Sequence, residues 1–114
     1  MQKIQGYRFG SVTIEGETYQ SDVIIYPDEV DSSWWRKEGH RLAVEDLRDA
    51  LGAKPEILIV GKGAYACMSV PPETEEHIKS LGIRLVAANT KEACDAHNKL
   101  SETSRVVTCL HLTC

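Results

Sequence analysis

The sequence is poor in aromatic residues, has no excess of positive charge and contains no long apolar run. Aromatic side chains make up 6% of the 114 residues, with a single phenylalanine, and the formal net charge is −4. Because acidic and basic residues are interspersed along the chain, no positive field is available to attract nucleic acid or an anionic membrane. We therefore expect neither as a partner.

A targeting signal is also lacking at the start of the sequence. A strand-like run begins within three residues of Met1, where a secretory signal or an Arg-rich leader would stand. The chain length and the 42% content of hydrophobic residues are ordinary for a globular protein. We expect a single domain over residues 1–114, a cytoplasmic location, and a monomer or weak homodimer.

Four cysteines are present, without the spacings typical of zinc sites: Cys67, Cys94, Cys109 and Cys114. Intracellular proteins usually keep their thiols reduced, so we expect these residues to be mainly small, buried and apolar. A disulfide among Cys67, Cys109 and Cys114 is the alternative, because they lie near the ends of predicted strands. Cys109 and His111 share one strand face, but no second ligand pair accompanies them, and we expect no metal and no other cofactor.

The first part of the chain predicts β-structure. Apolar residues alternate with polar ones at Tyr7 and Phe9 and again at Val12 and Ile14, between turn-forming glycines, which indicates a β-hairpin or a meander. The unbroken apolar run at residues 23–25 is typical of a strand that is covered on both faces.

Helices and buried strands alternate through the rest of the chain. Helical spacing of apolar residues is found in three segments, residues 43–51, 72–81 and 90–100. Runs that predict strands separate or follow them, at residues 57–60, 83–88 and 106–112. We expect Ile78 and Leu81 to point inward from the second helix, and Asn89 to cap the third. This order predicts an α/β fold with three layers, a mixed and mostly parallel central sheet, an N-terminal β-hairpin and about three helices.

A glycine turn, Gly61-Lys62-Gly63, follows the strand predicted at residues 57–60. It matches a loose dinucleotide pattern, but the prolines at positions 71 and 72 leave room for barely two helical turns after it. Nor does Ser or Thr follow Lys62, as a phosphate loop requires. The turn either lets the backbone pass close to another element or forms an anion cradle with Thr90 at the start of the third helix.

The stretch DSSWWRKEGHRL, residues 31–42, places both tryptophans and several cations in an irregular segment. One indole is expected to pack inward and the other to stay exposed. Arg36 can stack on an indole or bind a carboxylate through its planar fork. The segment is therefore either a structural buckle or a ligand or partner surface that includes Trp34, Trp35, Arg36 and His40.

No motif in the sequence specifies a reaction. The serines lie outside nucleophile-elbow sequences, and Cys67 follows the glycine turn without a recognisable base. His97 lies on the apolar face of the third predicted helix, where a packed ring is expected rather than a ligand or a base. The sequence favours a protein that is not an enzyme.

Taken together, the segments resemble a known family over essentially the whole chain. They are FGSVTIEGETYQSDVII, WWRKEGH, ILIVGKGA, VPPETEEHIKSLGI, NTKEACDAHNKL and RVVTCLHLTC. The family is the Mth938-like group of small α/β domains of undetermined biochemistry. It includes archaeal and bacterial single-domain proteins, the adipogenesis-associated protein of animals and a mitochondrial complex I assembly factor. The resemblance implies a three-layer α/β domain with no established activity and no agreed catalytic residues.

Two functions are consistent with these observations. The first is a non-enzymatic protein-binding or assembly module that docks an unidentified protein through residues 34–40, since aromatic and arginine side chains commonly anchor interfaces. The alternative is a small-molecule or anion-binding protein, which would include an enzyme, with a cleft at residues 61–63 and Thr90.

Overall fold

The computed structural model describes residues 2–114. The first part of the chain contains β1 (Ile4–Arg8), β2 (Ser11–Ile14), β3 (Glu17–Tyr19), β4 (Val23–Ile25), β5 (Val30–Asp31) and a 3-10 helix (Val44–Leu47). The second part contains α1 (Arg48–Gly52), β6 (Ile57–Lys62), α2 (Pro72–Ser80), β7 (Arg84–Ala88), α3 (Thr90–Leu100) and β8 (Val106–His111). No helix within residues 2–114 combines the length and the hydropathy needed to cross a bilayer.

The strands form two sheets. β1, β2 and β3 make an antiparallel meander, and the other five strands form a mixed sheet in the order β5-β4-β8-β6-β7. β6 runs parallel to both β7 and β8, whereas β4 runs antiparallel to both β5 and β8. Four of the five strands therefore point the same way, and the predicted α/β fold with a mixed, mostly parallel sheet is confirmed.

Both faces of the five-stranded sheet are covered, which accounts for its continuous apolar strands. The meander and α3 cover one face, around a buried cluster that includes Val23 and Ile59. The 3-10 helix, α1 and α2 cover the other face, around a cluster that includes Ile24 and Leu58. Because successive residues of a strand point to opposite faces, a strand covered on both sides must be apolar throughout.

The predicted features of α3 are confirmed. The Asn89 side chain caps the helix by accepting the amide hydrogen of Glu92 at 2.9 Å. His97 is buried, and its Nε2 lies 2.6 Å from the carbonyl of Gln2. Since a carbonyl can only accept, Nε2 carries the hydrogen and Nδ1 accepts from the Thr108 hydroxyl at 2.7 Å. Burial lowers the pKa of His97, as expected for a neutral ring packed in the core.

Two local predictions were wrong. The first predicted helix begins as a 3-10 helix and has only five α-helical residues, Arg48–Gly52. The Asp46 carboxylate accepts the amide hydrogen of Ala43 at 2.9 Å, and this contact holds the entry to the segment in a tight turn. Leu81 is 51% exposed, whereas Ile78 is buried, because α2 ends one residue before Leu81.

Candidate functional site

The two adjacent tryptophans have opposite surroundings, as predicted. The Trp34 side chain packs in the core, 7% exposed, and its Nε1 donates to the carbonyl of Asp46 at 2.9 Å. The neighbouring Trp35 is 74% exposed. One part of the segment therefore anchors the fold, and another part is open surface.

Arg36 belongs to the anchoring part. Its guanidinium lies 4.6 Å from the centroid of the Trp34 ring, and its side chain is 6% exposed. Nη1 donates to Oδ2 of Asp22 at 2.8 Å, and Nη2 donates to the carbonyl of Gly39 at 3.3 Å. Arg36 thus combines the two predicted modes of interaction, stacking on an indole and binding a carboxylate.

Asp22 and His111 complete a buried cluster with Arg36, here called the Asp22 cluster, which the sequence did not reveal. Oδ2 of Asp22 lies 2.8 Å from Nδ1 of His111, and Oδ1 accepts the Leu112 amide at 2.9 Å. Burial would raise the pKa of Asp22, but hydrogen bonds from these two donors and from Arg36 outweigh burial and lower it. Asp22 is therefore ionised, and Nδ1 of His111 carries the hydrogen that it donates.

An aspartate bonded to Nδ1 of a histidine is also the arrangement that orients a general base in hydrolases. Nε2 of His111 lies 3.5 Å from the Thr113 hydroxyl oxygen. However, the His111 side chain is 9% exposed, and a Cβ placed on Gly63 would lie 3.0 Å from its ring. Because a general base needs access to its substrate, this enclosure favours a structural cluster over a catalytic one.

His40 lies beside the Asp22 cluster, toward solvent. Its ring meets the His111 ring edge-on with the centroids 6.0 Å apart, and its carbonyl accepts the Ser69 amide at 2.8 Å. Lys62 is half-buried at the end of β6, in register with His111. The segment that carries Arg36 and His40 therefore contacts His111, and His111 in turn lies beside the glycine turn.

The glycine turn packs against the end of β8. A Cβ on Gly61 would lie 2.8 Å from Cδ2 of Leu110, and one on Gly63 would collide with the backbone of Cys114. The Gly63 amide donates to the Thr90 hydroxyl at 2.9 Å, and the Thr90 amide donates to the Gly63 carbonyl at 3.0 Å. Because both amides are already engaged, these contacts favour a close approach between backbones over an anion cradle.

The alternative for the cysteines, a disulfide among Cys67, Cys109 and Cys114, is not found within residues 2–114, where all four thiols are free. Cys109 is completely buried, and burial raises the pKa of its thiol, whereas Cys67 is exposed. The backbones of Cys67 and Cys114 meet through an amide–carbonyl hydrogen bond of 3.0 Å, but their sulfur atoms are not joined. Burial also raises the pKa of Cys94, to about 12, which disfavours its thiolate form at neutral pH.

No group of three or more metal-ligating side chains comes together in the part of the chain that the structure describes. In the Asp22 cluster, the guanidinium of Arg36 occupies the position beside Asp22 and His111 that a cation would take. The cluster is therefore neutralised by the protein itself.

The exposed Trp35 borders a groove of about 400 Å³, and a second groove of about 630 Å³ adjoins it. The two grooves share Asp31 and Asp49 in their linings, and β5, at one edge of the five-stranded sheet, lines the larger one. Their charged residues are Asp28, Glu29, Asp31, Glu45, Asp46, Asp49, Arg48 and Arg105. We call them the acidic grooves.

The acidic grooves account for the whole net charge of the protein. Six carboxylates face two guanidinium groups there, and the remaining eleven acidic residues match eleven basic ones, so the formal charge of −4 is located at this surface. None of the six carboxylates forms an ion pair with another residue in the range 2–114. The pKa of Tyr26 in the larger groove is raised to about 12. Burial is the largest cause, and nearby negative charges, including Asp49 and Asp31, add to it.

Two acidic segments of the sequence mark the positions of these grooves. Residues 28–31 and 45–49 together hold six acidic residues and one arginine. The two segments lie on either side of the tryptophan-containing segment in the chain, and the fold brings all three to one surface. By contrast, Asp22 and His111 are single polar residues at the ends of apolar runs, and no local pattern marks them as partners.

Comparison with known proteins assigns the family. The family described as "Protein of unknown function (DUF498/DUF598)" matches residues 4–111. The chain belongs to this family. Its biochemical function is unknown, as the resemblance implied.

Solved structures show the same fold. A conserved hypothetical protein from Pyrococcus horikoshii OT3 is 28% identical, with a TM-score of 0.84 over 98% of this chain and 99% of that one. The protein MT938 is 30% identical, with a TM-score of 0.81 over 100% of both chains. A Bordetella pertussis protein described as a Mth938-like domain is 19% identical, with a TM-score of 0.76 over 97% of this chain and 85% of that one, and shows likeness in fold alone. The predicted resemblance to Mth938-like domains is confirmed.

Proposed function

We propose that this protein is a non-enzymatic binding module that docks another protein at the surface around Trp35. One observation carries the proposal: an indole that is 74% exposed stands between two residues whose side chains are almost fully buried, Trp34 and Arg36. Because its neighbours are held by the core and by an ion pair, the exposed ring loses little backbone freedom when it is covered. Tryptophan is also among the commonest residues that dominate binding energy at interfaces.

Binding of a small molecule or an anion at residues 61–63 and Thr90 has less support. The amides that would hold an anion are engaged within the chain, and the Asp22 cluster is enclosed by the glycine turn. In the described chain Nε of Arg36 is a donor of the Asp22 cluster without a hydrogen-bond partner, but this atom is itself buried, whereas a ligand site of this kind requires donors that face a cavity.

We also propose that the protein works in the cytoplasm as a single domain, as a monomer or weak homodimer, without nucleic acid or membrane as a partner. The formal charge of −4 supports the exclusion of nucleic acid and of an anionic membrane, since it repels polyanions. Sedimentation velocity over a range of protein concentrations tests the oligomeric state, and a tight dimer or a larger assembly at every concentration would contradict it.

Site-specific photo-crosslinking tests the docking surface. A benzophenone amino acid is placed at position 35 in cells that naturally make the protein, and the matched control carries it at Tyr65, which is also 74% exposed. We expect a discrete protein adduct from position 35 that is absent from position 65. With the partner identified and purified, Trp35→Ala should then weaken binding at least tenfold, by about 1.4 kcal/mol or more.

Two results would contradict the proposal. One is the absence of any protein adduct at position 35. The other is the same set of adducts at positions 35 and 65, which would indicate random collisions with an exposed probe.

A further inference from the structure

We propose that the partner contributes a basic, extended segment that lies in the acidic grooves along β5, with Trp35 at one end. This inference rests on the proposed function and specifies the chemistry of the partner. It concerns a surface whose charge, shape and backbone all favour the same kind of occupant.

The carboxylates of the grooves complement the charge of a basic segment. The six carboxylates of the grooves make no ion pair within residues 2–114, so a basic side chain meets no competing internal cation there, although Asp31 and Asp46 accept hydrogen bonds from nearby groups of the chain. Arg105, one of the two cations at this surface, directs its guanidinium to the carbonyl of Ala53 at 3.1 Å. Opposite charges on a partner would both steer its approach and select against acidic competitors.

The backbone of β5 favours an extended occupant. β5 is a two-residue strand, Val30–Asp31, at the edge of the five-stranded sheet, and its outer side faces no further strand. An extended segment can add to such an edge through main-chain hydrogen bonds, while its side chains alternate between the two flanking sides. The position of β5 beside the larger groove therefore favours an extended occupant over a globular surface.

The exposed indole of Trp35 lies beside carboxylates and favours a basic side chain. Trp35 lines the smaller groove together with Glu45 and Asp49. An arginine or lysine placed there can lay its alkyl chain and cationic group on the ring and reach a carboxylate at the same time. The same geometry disfavours an acidic occupant, which would face repulsion without compensation.

Other occupants fit this surface less well. A second copy of the chain would bring six carboxylates against six carboxylates, and an anionic membrane would be repelled. A metal ion would need three or more converging ligands, and no such group is found within residues 2–114.

Binding to defined peptides, followed by amide NMR, tests the inference. The probe is an eight-residue peptide in which lysine or arginine alternates with valine, and the control peptide replaces every basic residue by glutamate. We expect the basic peptide to shift the amide signals of Val30 and Asp31 and the indole signal of Trp35. The acidic peptide should leave these signals in place.

Charge-neutralising variants distinguish the grooves from the overall charge. Glu45→Gln combined with Asp49→Asn should weaken binding of the basic peptide by about threefold to tenfold. The matched control combines Glu76→Gln with Glu102→Gln, which removes the same charge from exposed positions outside the two grooves, and it should leave binding within about twofold.

Three outcomes would overturn the inference: no shift with the basic peptide, equal shifts with the acidic peptide, or equal weakening by the two double variants. A protein adduct from position 35 together with no response to the basic peptide would exclude a basic segment and leave the proposed function standing. A response to the peptide without any protein adduct would instead count against the proposed function.

Discussion

The carboxyl ends of β6 and β8 and the edge at β5 are two regions of one sheet that differ in what occupies them. The first, here called the closed end, holds the Asp22 cluster, the glycine turn and Thr90, whose polar groups bind one another. The second, the open edge, holds Trp35 and carboxylates without ion-pair partners in the described chain. Open α/β sheets commonly bind ligands at the carboxyl ends of parallel strands. In this protein the carboxyl ends of β6 and β8 are filled by contacts within the chain. Local contacts therefore decide whether a ligand can bind at the carboxyl ends of parallel strands.

The largest expected effect distinguishes the two tryptophans, since Trp34 packs in the core and Trp35 is exposed at the open edge. Trp34→Ala should lower the free energy of unfolding by about 4 kcal/mol, because it empties a core position and frees the Asp46 carbonyl. Trp35→Ala should change it by less than about 0.5 kcal/mol, because the ring is exposed. Urea denaturation measures both, and similar losses for the two variants would remove the distinction between anchor and open surface.

A methyl group at the glycine turn tests how tightly the closed end is packed. Gly63 has a φ of +100°, and a Cβ there would meet the Cys114 backbone and the His111 ring. Gly63→Ala should therefore destabilise the protein by about 3 kcal/mol in thermal or urea unfolding. Gly52→Ala, where a Cβ meets open space, is the control and should change stability by less than about 1 kcal/mol. A stable Gly63→Ala protein would mean that the closed end can open for a ligand.

Removing the charge of Asp22 tests the cluster itself. Asp22→Asn leaves the buried Arg36 guanidinium without its counter-charge and should cost about 2 kcal/mol at neutral pH. Glu73→Gln removes the exposed ion pair with Arg41 and should cost less than about 1 kcal/mol.

The effect of Asp22→Asn should also depend on pH. Because folding lowers the pKa of Asp22 below its ordinary 3.8, its ionised form stabilises the native state above that pH, and this contribution is lost as the pH falls through the folded pKa. The stability difference between wild type and variant should therefore be full at neutral pH and shrink below pH 3.8. Urea denaturation at a series of pH values checks this, and a pH-independent difference would contradict it.

The smallest effect sharpens the description of the open edge. Asp49→Asn should lower the pKa of Tyr26 from about 12, because it removes one of the negative charges that raise this pKa. An alkaline titration of the Tyr26 ring signals by NMR measures the change. Asp95→Asn, on α3, should leave the pKa of Tyr26 unchanged. An unchanged pKa in Asp49→Asn would mean that burial alone accounts for the value.

Much of the fold could be predicted because its determinants are local. The apolar runs at residues 23–25 and 57–60 indicated strands covered on both faces, and both are buried strands of the central sheet. Asn89 indicated the start of α3 because an N-cap depends on the next three residues. The division of the first helix into a 3-10 part and five α-helical residues was not predictable, since apolar spacing does not distinguish a 3-10 helix from an α-helix over so few turns.

The site was predicted less well because its contacts are distant in the chain. The segment with Trp34 and Arg36 was identified, and so was the division into one buried and one exposed indole. The partner of Arg36 was not, since Asp22 and His111 meet across 89 residues and no local pattern joins them. The glycine turn was correctly located. The choice between an anion cradle and a close approach between backbones depended on what lies opposite Gly63, and the structure places the Cys114 backbone there.

The place of β8 in the sheet has a consequence for how the molecule forms. The last strand along the chain lies in the middle of the sheet, between β4 and β6, and bonds such as that from the Tyr7 hydroxyl to the Leu112 carbonyl join groups 105 residues apart. Loops of this length must close before their contacts stabilise anything, so folding should be slow for a protein of this size. During synthesis, β4 and β6 emerge from the ribosome before β8, the strand that joins them, and their facing edges stay unpaired until β8 follows.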